Sequence, residues 1–120
     1  MNLITVRLPA KSTVYLLEDS PMRIAWFKKQ VPGIVVVSSV EEFKTLFDNN
    51  PPCDFIFWDH DLGKGGTGYD AAEWFANKYG AVNRYMLIHS WNRAGAARMQ
   101  TVLKEASYVP FGNFEIEVEN

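Results

Sequence analysis

Four short, nearly continuous apolar runs punctuate the chain: Thr13-Val-Tyr-Leu-Leu17, Gly33-Ile-Val-Val-Val37, Asp54-Phe-Ile-Phe-Trp58 and Arg84-Tyr-Met-Leu-Ile88. A strand with one wet face alternates apolar and polar residues, so runs without alternation predict strands covered on both faces, as in a parallel sheet. Between them the apolar positions take helical spacing. Met22 to Gln30 carries Ile24 and Phe27, Val40 to Phe47 carries Phe43, Leu46 and Phe47, Ala71 to Tyr79 carries Trp74 and Phe75, and Arg93 to Ala106 carries Met99, Val102 and Leu103. Ser20-Pro21, Ser38/Ser39 and Asn92 suit helix starts, and Gly33 and Gly80 suit helix ends. Strictly alternating strand and helix predict a doubly wound α/β fold, a mainly parallel five-stranded sheet with helices on both faces.

Two segments lie outside that alternation. Leu3 to Leu8 reads as a strand, and Phe114 to Glu119 alternates as a half-exposed strand does. One of them is expected to cover a sheet edge. Tyr108-Val-Pro-Phe111 is the other candidate for the fifth strand, with Pro110 favouring an edge or a turn.

Composition narrows the function classes. At 120 residues and 48% hydrophobic content, with eight Phe, five Tyr and four Trp, the chain has material for one core, a single domain over 1–120. A net charge of -2 does not supply the basic field that duplex DNA binding needs. No apolar run reaches the length of a membrane span, and Met1 to Ser12 has no secretory core, so a cytoplasmic location is expected. The lone Cys53 precedes an apolar run and reads as an inert thiol.

Ligands of open α/β sheets bind beyond the carboxyl ends of the strands, and there the reactive residues collect. Glu18-Asp19 follows the first run, Asp59-His60-Asp61 the third, and His89-Ser90 the fourth. Carboxylates gathered at one edge repel each other unless a cation, a shared proton or basic groups compensate. Glu18, Asp19 and Asp59 therefore form a candidate Mg²⁺ site. The glycine-rich Gly63 to Gly68 loop fits neither the P-loop nor the dinucleotide pattern, although its main chain, Gly68 included, can approach a phosphate closely. The segment from Ser90 through Asn92 and Arg93 opens a helix whose free N–H groups suit an anion, with Arg93 and Arg98 as charge-assisted contacts.

These motifs resemble the receiver fold of the response regulators. In that resemblance Glu18-Asp19 is the acidic pair, Asp59 the phosphoacceptor position and Ser90 the hydroxyl residue, while the lysine expected after the fifth strand is replaced by Val109-Pro110-Phe111. A closer resemblance, from about Val14 to Met99, is to the cyclic-phosphate-processing receiver domains. Their acidic pair followed by Arg, Asp-His-Asp-Leu-Gly, Gly-Tyr-Asp, and His-Ser-x-Asn leading to Gly and Arg-Met read here as Glu18-Asp19 with Arg23, Asp59 to Gly63, Gly68 to Asp70, and His89 to Asn92 with Gly95 and Arg98-Met99. Glu18 stands where Asp is usual, and Pro21 precedes Arg23 instead of following it.

The resemblance implies a phosphate-containing partner, a small molecule or the cyclic or terminal phosphate of an RNA end, as in RNA repair. His60 and His89 would serve as general base and acid, oriented by Asp61 or Asp59. A cation on Glu18, Asp19 and Asp59 would neutralise developing charge, and Asp59 serves either the cation or a histidine. Two other readings compete: a signalling receiver phosphorylated on Asp59, and a degenerate receiver that only binds a protein partner.

Overall fold

In the computed structural model, which describes residues 3–49, 53–80 and 85–120, every apolar run becomes a strand. The elements follow the order β1 (Ile4–Leu8), β2 (Val14–Leu17), α1 (Pro21–Gln30), β3 (Val35–Val37), α2 (Val40–Asn49), β4 (Phe55–Trp58), α3 (Gly68–Tyr79), β5 (Tyr85–Ile88), α4 (Arg93–Val102), β6 (Ser107–Tyr108) and β7 (Phe114–Val118). Arg84, the expected start of the fourth run, and Met1 lie outside the described residues. A five-stranded parallel sheet has the order β3-β2-β4-β5-β6.

The helix starts follow cap chemistry. Ser20, Thr67 and Asn92 accept from the backbone N–H groups of Arg23, Asp70 and Gly95. Ser39 and Glu42 close a reciprocal box at α2, with the Glu42 N–H on Ser39 Oγ and Glu42 Oε1 accepting from the Ser38 N–H. The fourth helix ends at Val102 and not at Ala106. The Leu103 N–H caps Met99 O and the Ala106 N–H bonds Leu103 O, so the chain turns there to feed β6 with Leu103 and Ala106 still buried.

The terminal segments correct the edge-strand expectation. Neither joins the main sheet; β1 and β7 pair with each other in parallel, from Ile4↔Phe114 to Leu8↔Val118. Five strands at about 4.8 Å are roughly 19 Å across, and one helix covers only about 10 Å of that. One face is covered by α2, α3 and α4 around Phe43, Trp58 and Phe75. On the other, where α1 is the only helix among the described residues, the ribbon supplies Leu8, Phe114 and Ile116, which pack with Phe27 and Phe57. Helices lie on both faces, and on the second the terminal ribbon completes the cover beside α1. The fifth strand is Ser107–Tyr108, continued by the Val109 N–H to Ile88 O and the Phe111 N–H to His89 O, with the donorless Pro110 between them.

Candidate functional site

Register alone lines up the chemistry. Leu17 pairs with Trp58, and Trp58 with Ile88, across three adjacent strands, so the next residues, Glu18, Asp59 and His89, stand side by side. Side chains alternate between faces. Leu17, Trp58 and Ile88 belong to the α2–α3–α4 core, which sends Glu18, Asp59 and His89 to the α1 side. There one donor atom from each lies within 4.8 Å of the others, and all three residues are buried. His60 and Ser90, one residue further on, turn toward the opposite face.

His89 is fully buried against the Phe27 ring, 5.0 Å between centroids. Its Nε2 lies 2.9 Å from Glu18 Oε1, and its Nδ1 has no partner among the described residues. An orphaned lone pair is cheaper to bury than an orphaned N–H beside a free carboxylate, so the proton belongs on Nε2, donated to Glu18. Burial pushes the imidazole down to about 4, helped by the Arg23 charge and opposed by Asp59. Glu18 Oε2 accepts from the Asp19 and Ser20 N–H groups.

Asp59 is the strained member of the cluster. Burial first, then the adjacent Glu18 charge and a hydrogen bond shared with Glu18, push its carboxyl up to about 7, while His89 and the His60 N–H on Oδ1 pull the other way. Arg23, in the first turn of α1, compensates both acids, its Nη1 3.6 Å from Glu18 Oε1 and 3.9 Å from Asp59 Oδ1. The guanidinium carbon lies over two rings, 4.5 Å from the Trp91 centroid and 5.1 Å from that of Phe111.

His60 belongs to a second network. Its Nδ1 is 2.9 Å from Asp61 Oδ1, and Asn92 Nδ2 donates to both Asp61 oxygens at 3.4 Å while Asn92 Oδ1 caps α4. The ring lies on the backbone of Gly95, where a Cβ would meet it at 2.5 Å. Gly95→Ala is therefore expected to turn the imidazole off Asp61. Helix propensity offsets part of the cost, about 1 kcal/mol at most. The result to look for is a shifted His60 ring resonance with a lowered denaturation midpoint; an unmoved resonance would contradict this packing.

These side chains open on one cleft of about 360 Å³, lined by Glu18, Asp19, Ser20, Met22, Arg23, Asp59, Asp61, Ser90, Trp91, Asn92 and Phe111. The two imidazoles stand behind this wall, each holding a carboxylate that faces the cleft. Asp19 is exposed on the rim, outside the Glu18–Asp59–His89 trio. Ser90 Oγ accepts the Asn92 N–H at 3.1 Å.

Three of the expected contacts are not brought into the cleft. Arg93 is exposed on α4 away from the lining, and Arg98 stacks on Tyr69 at 4.5 Å. Gly68 is buried beneath Asp59 and His60, its N–H on His60 O, and the rest of its loop forms a turn packed on Ser38 and Ser39. Trp91 and Phe111 are site residues to which the sequence pattern gives no role, and Gly95, part of the family motif, gains one as the surface under His60. The available signal was an aromatic within the His-Ser-x-Asn segment itself, in a loop and not on a helix.

The architecture is that of the receiver domains. It is similar to the phosphorylated cyanobacterial phytochrome response regulator RcpA, with a TM-score of 0.67 at 16% identity, over 84% of this chain and 81% of that one. A LuxR-family two-component response regulator from Aurantimonas sp. SI85-9A1 gives 0.64 at 20% identity, over 86% and 76%. The response regulator domain of Thermotoga maritima CheB gives 0.56 at 15%, over 97% and 84%. Within that class, residues 14–105 match the cyclic-phosphate processing receiver domain, and the chain belongs to that family. No curated protein matches it. Among the described residues, no helix is long and apolar enough to cross a membrane.

Proposed function

We propose that the cleft binds a phosphate ester, with the cyclic phosphate end of a nucleotide or RNA as the preferred form. The observation that carries this reading is the convergence of a planar, ring-clamped Arg23, the Ser90 hydroxyl and the start of α4 on the same small cleft as Asp59. Arg23 offers a fork of donors matched to phosphate oxygens, and Ser90 and Asn92 offer shorter-range hydrogen bonds. His89 and His60 act through their partners, holding Glu18 and Asp61 in place.

A divalent cation suits this donor set. Asp59 is pushed up to about 7 because it is buried beside Glu18, which marks a site short of positive charge at the point where an anionic ester would bring more negative charge. Asp59 and Asp19 are the carboxylates left to hold it, since Glu18 already accepts from two backbone N–H groups and from His89. A metal on His89 Nε2 would force the proton to Nδ1, which has no acceptor among the described residues. The ligands are then all oxygen, the preference of Mg²⁺. Bound there, the ion would supply charge stabilisation to a phosphoryl group.

Calorimetric titration with 2′,3′-cyclic nucleotides, with and without Mg²⁺, tests the reading, with chromatography of the same samples to detect product. Mg²⁺-dependent binding is expected, weakened about tenfold in Arg23→Lys, which keeps the charge over Glu18 and Asp59 but loses the planar fork. Absence of binding by any cyclic or terminal phosphate in Mg²⁺ would sink the reading. The competing reading, phosphorylation of Asp59, meets a carboxyl that is buried and half protonated near neutral pH, with Phe111 near the end of the fifth strand. Labelling of Asp59 by a small phosphodonor would reinstate it.

A further inference from the structure

Trp91 borders the cleft and touches the phosphate site only through Arg23, so most of its exposed ring has no role in the phosphate reading. Its side chain is 65% exposed, and exposure of a single aromatic is ordinary. What sets this ring apart is that it is immobilised while exposed. Its Nε1–H donates to Phe111 O at 2.8 Å, and the Arg23 guanidinium lies against it at 4.5 Å. Met22, 73% exposed, lines the same cleft, so the lining combines exposed apolar surface with the polar groups of Asp59, Asp61 and Ser90.

A ligand that complements such a surface has a phosphate at one end and a flat π system at the other. We propose that Trp91 is the stacking platform for the base of a nucleotide whose phosphate occupies the cleft, an assignment that rests on the phosphate-ester reading above. The unit recognised is a single nucleotide. Among the described residues, the cleft lining contains no cation beyond Arg23, and Asp19 and Asp61 stand at its rim, so nothing there neutralises a run of phosphates as strand-tracking grooves do. Stacking reads the face of a base and not its edge. Selectivity among bases is therefore weak, with purines ahead of pyrimidines through their larger ring area.

The test compares two ligands in Mg²⁺: adenosine 2′,3′-cyclic phosphate, and a base-free cyclic phosphate such as the 2,3-cyclic phosphate of methyl riboside. In the wild-type chain the nucleotide is expected to bind about tenfold tighter than the base-free ester, and in Trp91→Ala that ratio falls toward one, with Trp91→Phe recovering much of it. A wild-type ratio of one, or a ratio unchanged in Trp91→Ala, overturns the platform while leaving the phosphate site standing. A Trp91→Ala variant that weakens both ligands equally assigns the ring to propping Arg23 and also overturns it. Failure of both ligands to bind the wild-type chain removes the phosphate-ester reading and the platform together.

Discussion

Asp59→Asn and His89→Gln are expected to change the pH dependence of stability in opposite directions. Folding raises the Asp59 carboxyl from 3.8 to about 7, so between those values the folded chain holds a proton that the unfolded chain has released. Stability from this group is full below about pH 4 and falls as pH rises toward 7. His89 is the reverse case, lowered from 6.5 to about 4. There the unfolded chain holds the extra proton, so stability is present above about pH 6.5 and is lost as pH falls toward 4. In the wild-type chain the two slopes nearly cancel.

Each substitution removes one slope and, because the Asp59 and His89 charges act on each other, also shifts the group that remains. Relative to wild type, Asp59→Asn gains stability from pH 4 to 7, by up to about 4 kcal/mol, since a tenfold change in proton affinity on folding is worth about 1.4 kcal/mol. Over pH 4 to 6.5, His89→Gln loses relative to wild type, by up to about 3 kcal/mol on the same arithmetic. Urea denaturation at four pH values in that range reads both difference profiles. If the profiles of the two variants and the wild type run parallel, the buried cluster is not the titrating unit described here.

Gly68→Ala is expected to destabilise the fold by at least about 3 kcal/mol, the upper range for overpacking, because its contact is with backbone. A Cβ there would lie 1.9 Å from Asp59 O and 2.9 Å from the His60 Cα, where no rotamer change gives relief. The roughly 1 kcal/mol of helix propensity that Ala brings is too small to compensate. To make room, α3 must back away from the end of β4, and Asp59 and His60 move with it. The same variant should therefore lose phosphate-ester binding even where it remains folded. A denaturation midpoint equal to that of the wild type would disprove the close approach.

This role of Gly68 marks a boundary of sequence reading. As the last glycine of Gly63 to Gly68 it reads as part of a phosphate-cradling loop, because glycine content signals only that a backbone comes close to something. The partner proves to be the chain's own Asp59 carbonyl. Arg98 shows the same limit: its charge was legible, but its placement on Tyr69 depends on how α3 and α4 pack. The terminal segments were legible as strands and not as partners. Only the bare half-face beside α1 explains why β1 and β7 find each other over a sequence separation of more than a hundred residues.

The sequence by itself determined the local elements and the parity of the site. Buried strands announce themselves as unbroken apolar runs, caps follow from Ser, Thr and Asn ahead of helical spacing, and the reactive residues begin one step past Leu17, Trp58 and Ile88, all on one face. These are nearest-neighbour properties, governed by side-chain size, hydrogen-bonding capacity and the two-residue period of a strand. The tertiary structure decided which of those residues meet. Placing β4 between β2 and β5 brings Glu18 to His89 across 71 positions, buries both acids under Arg23, and so turns ordinary carboxyl and imidazole groups into a pair that titrate near 7 and near 4. Burial and charge proximity act through space and not along the chain, which is why the identity of the site residues was readable in advance and their chemistry was not.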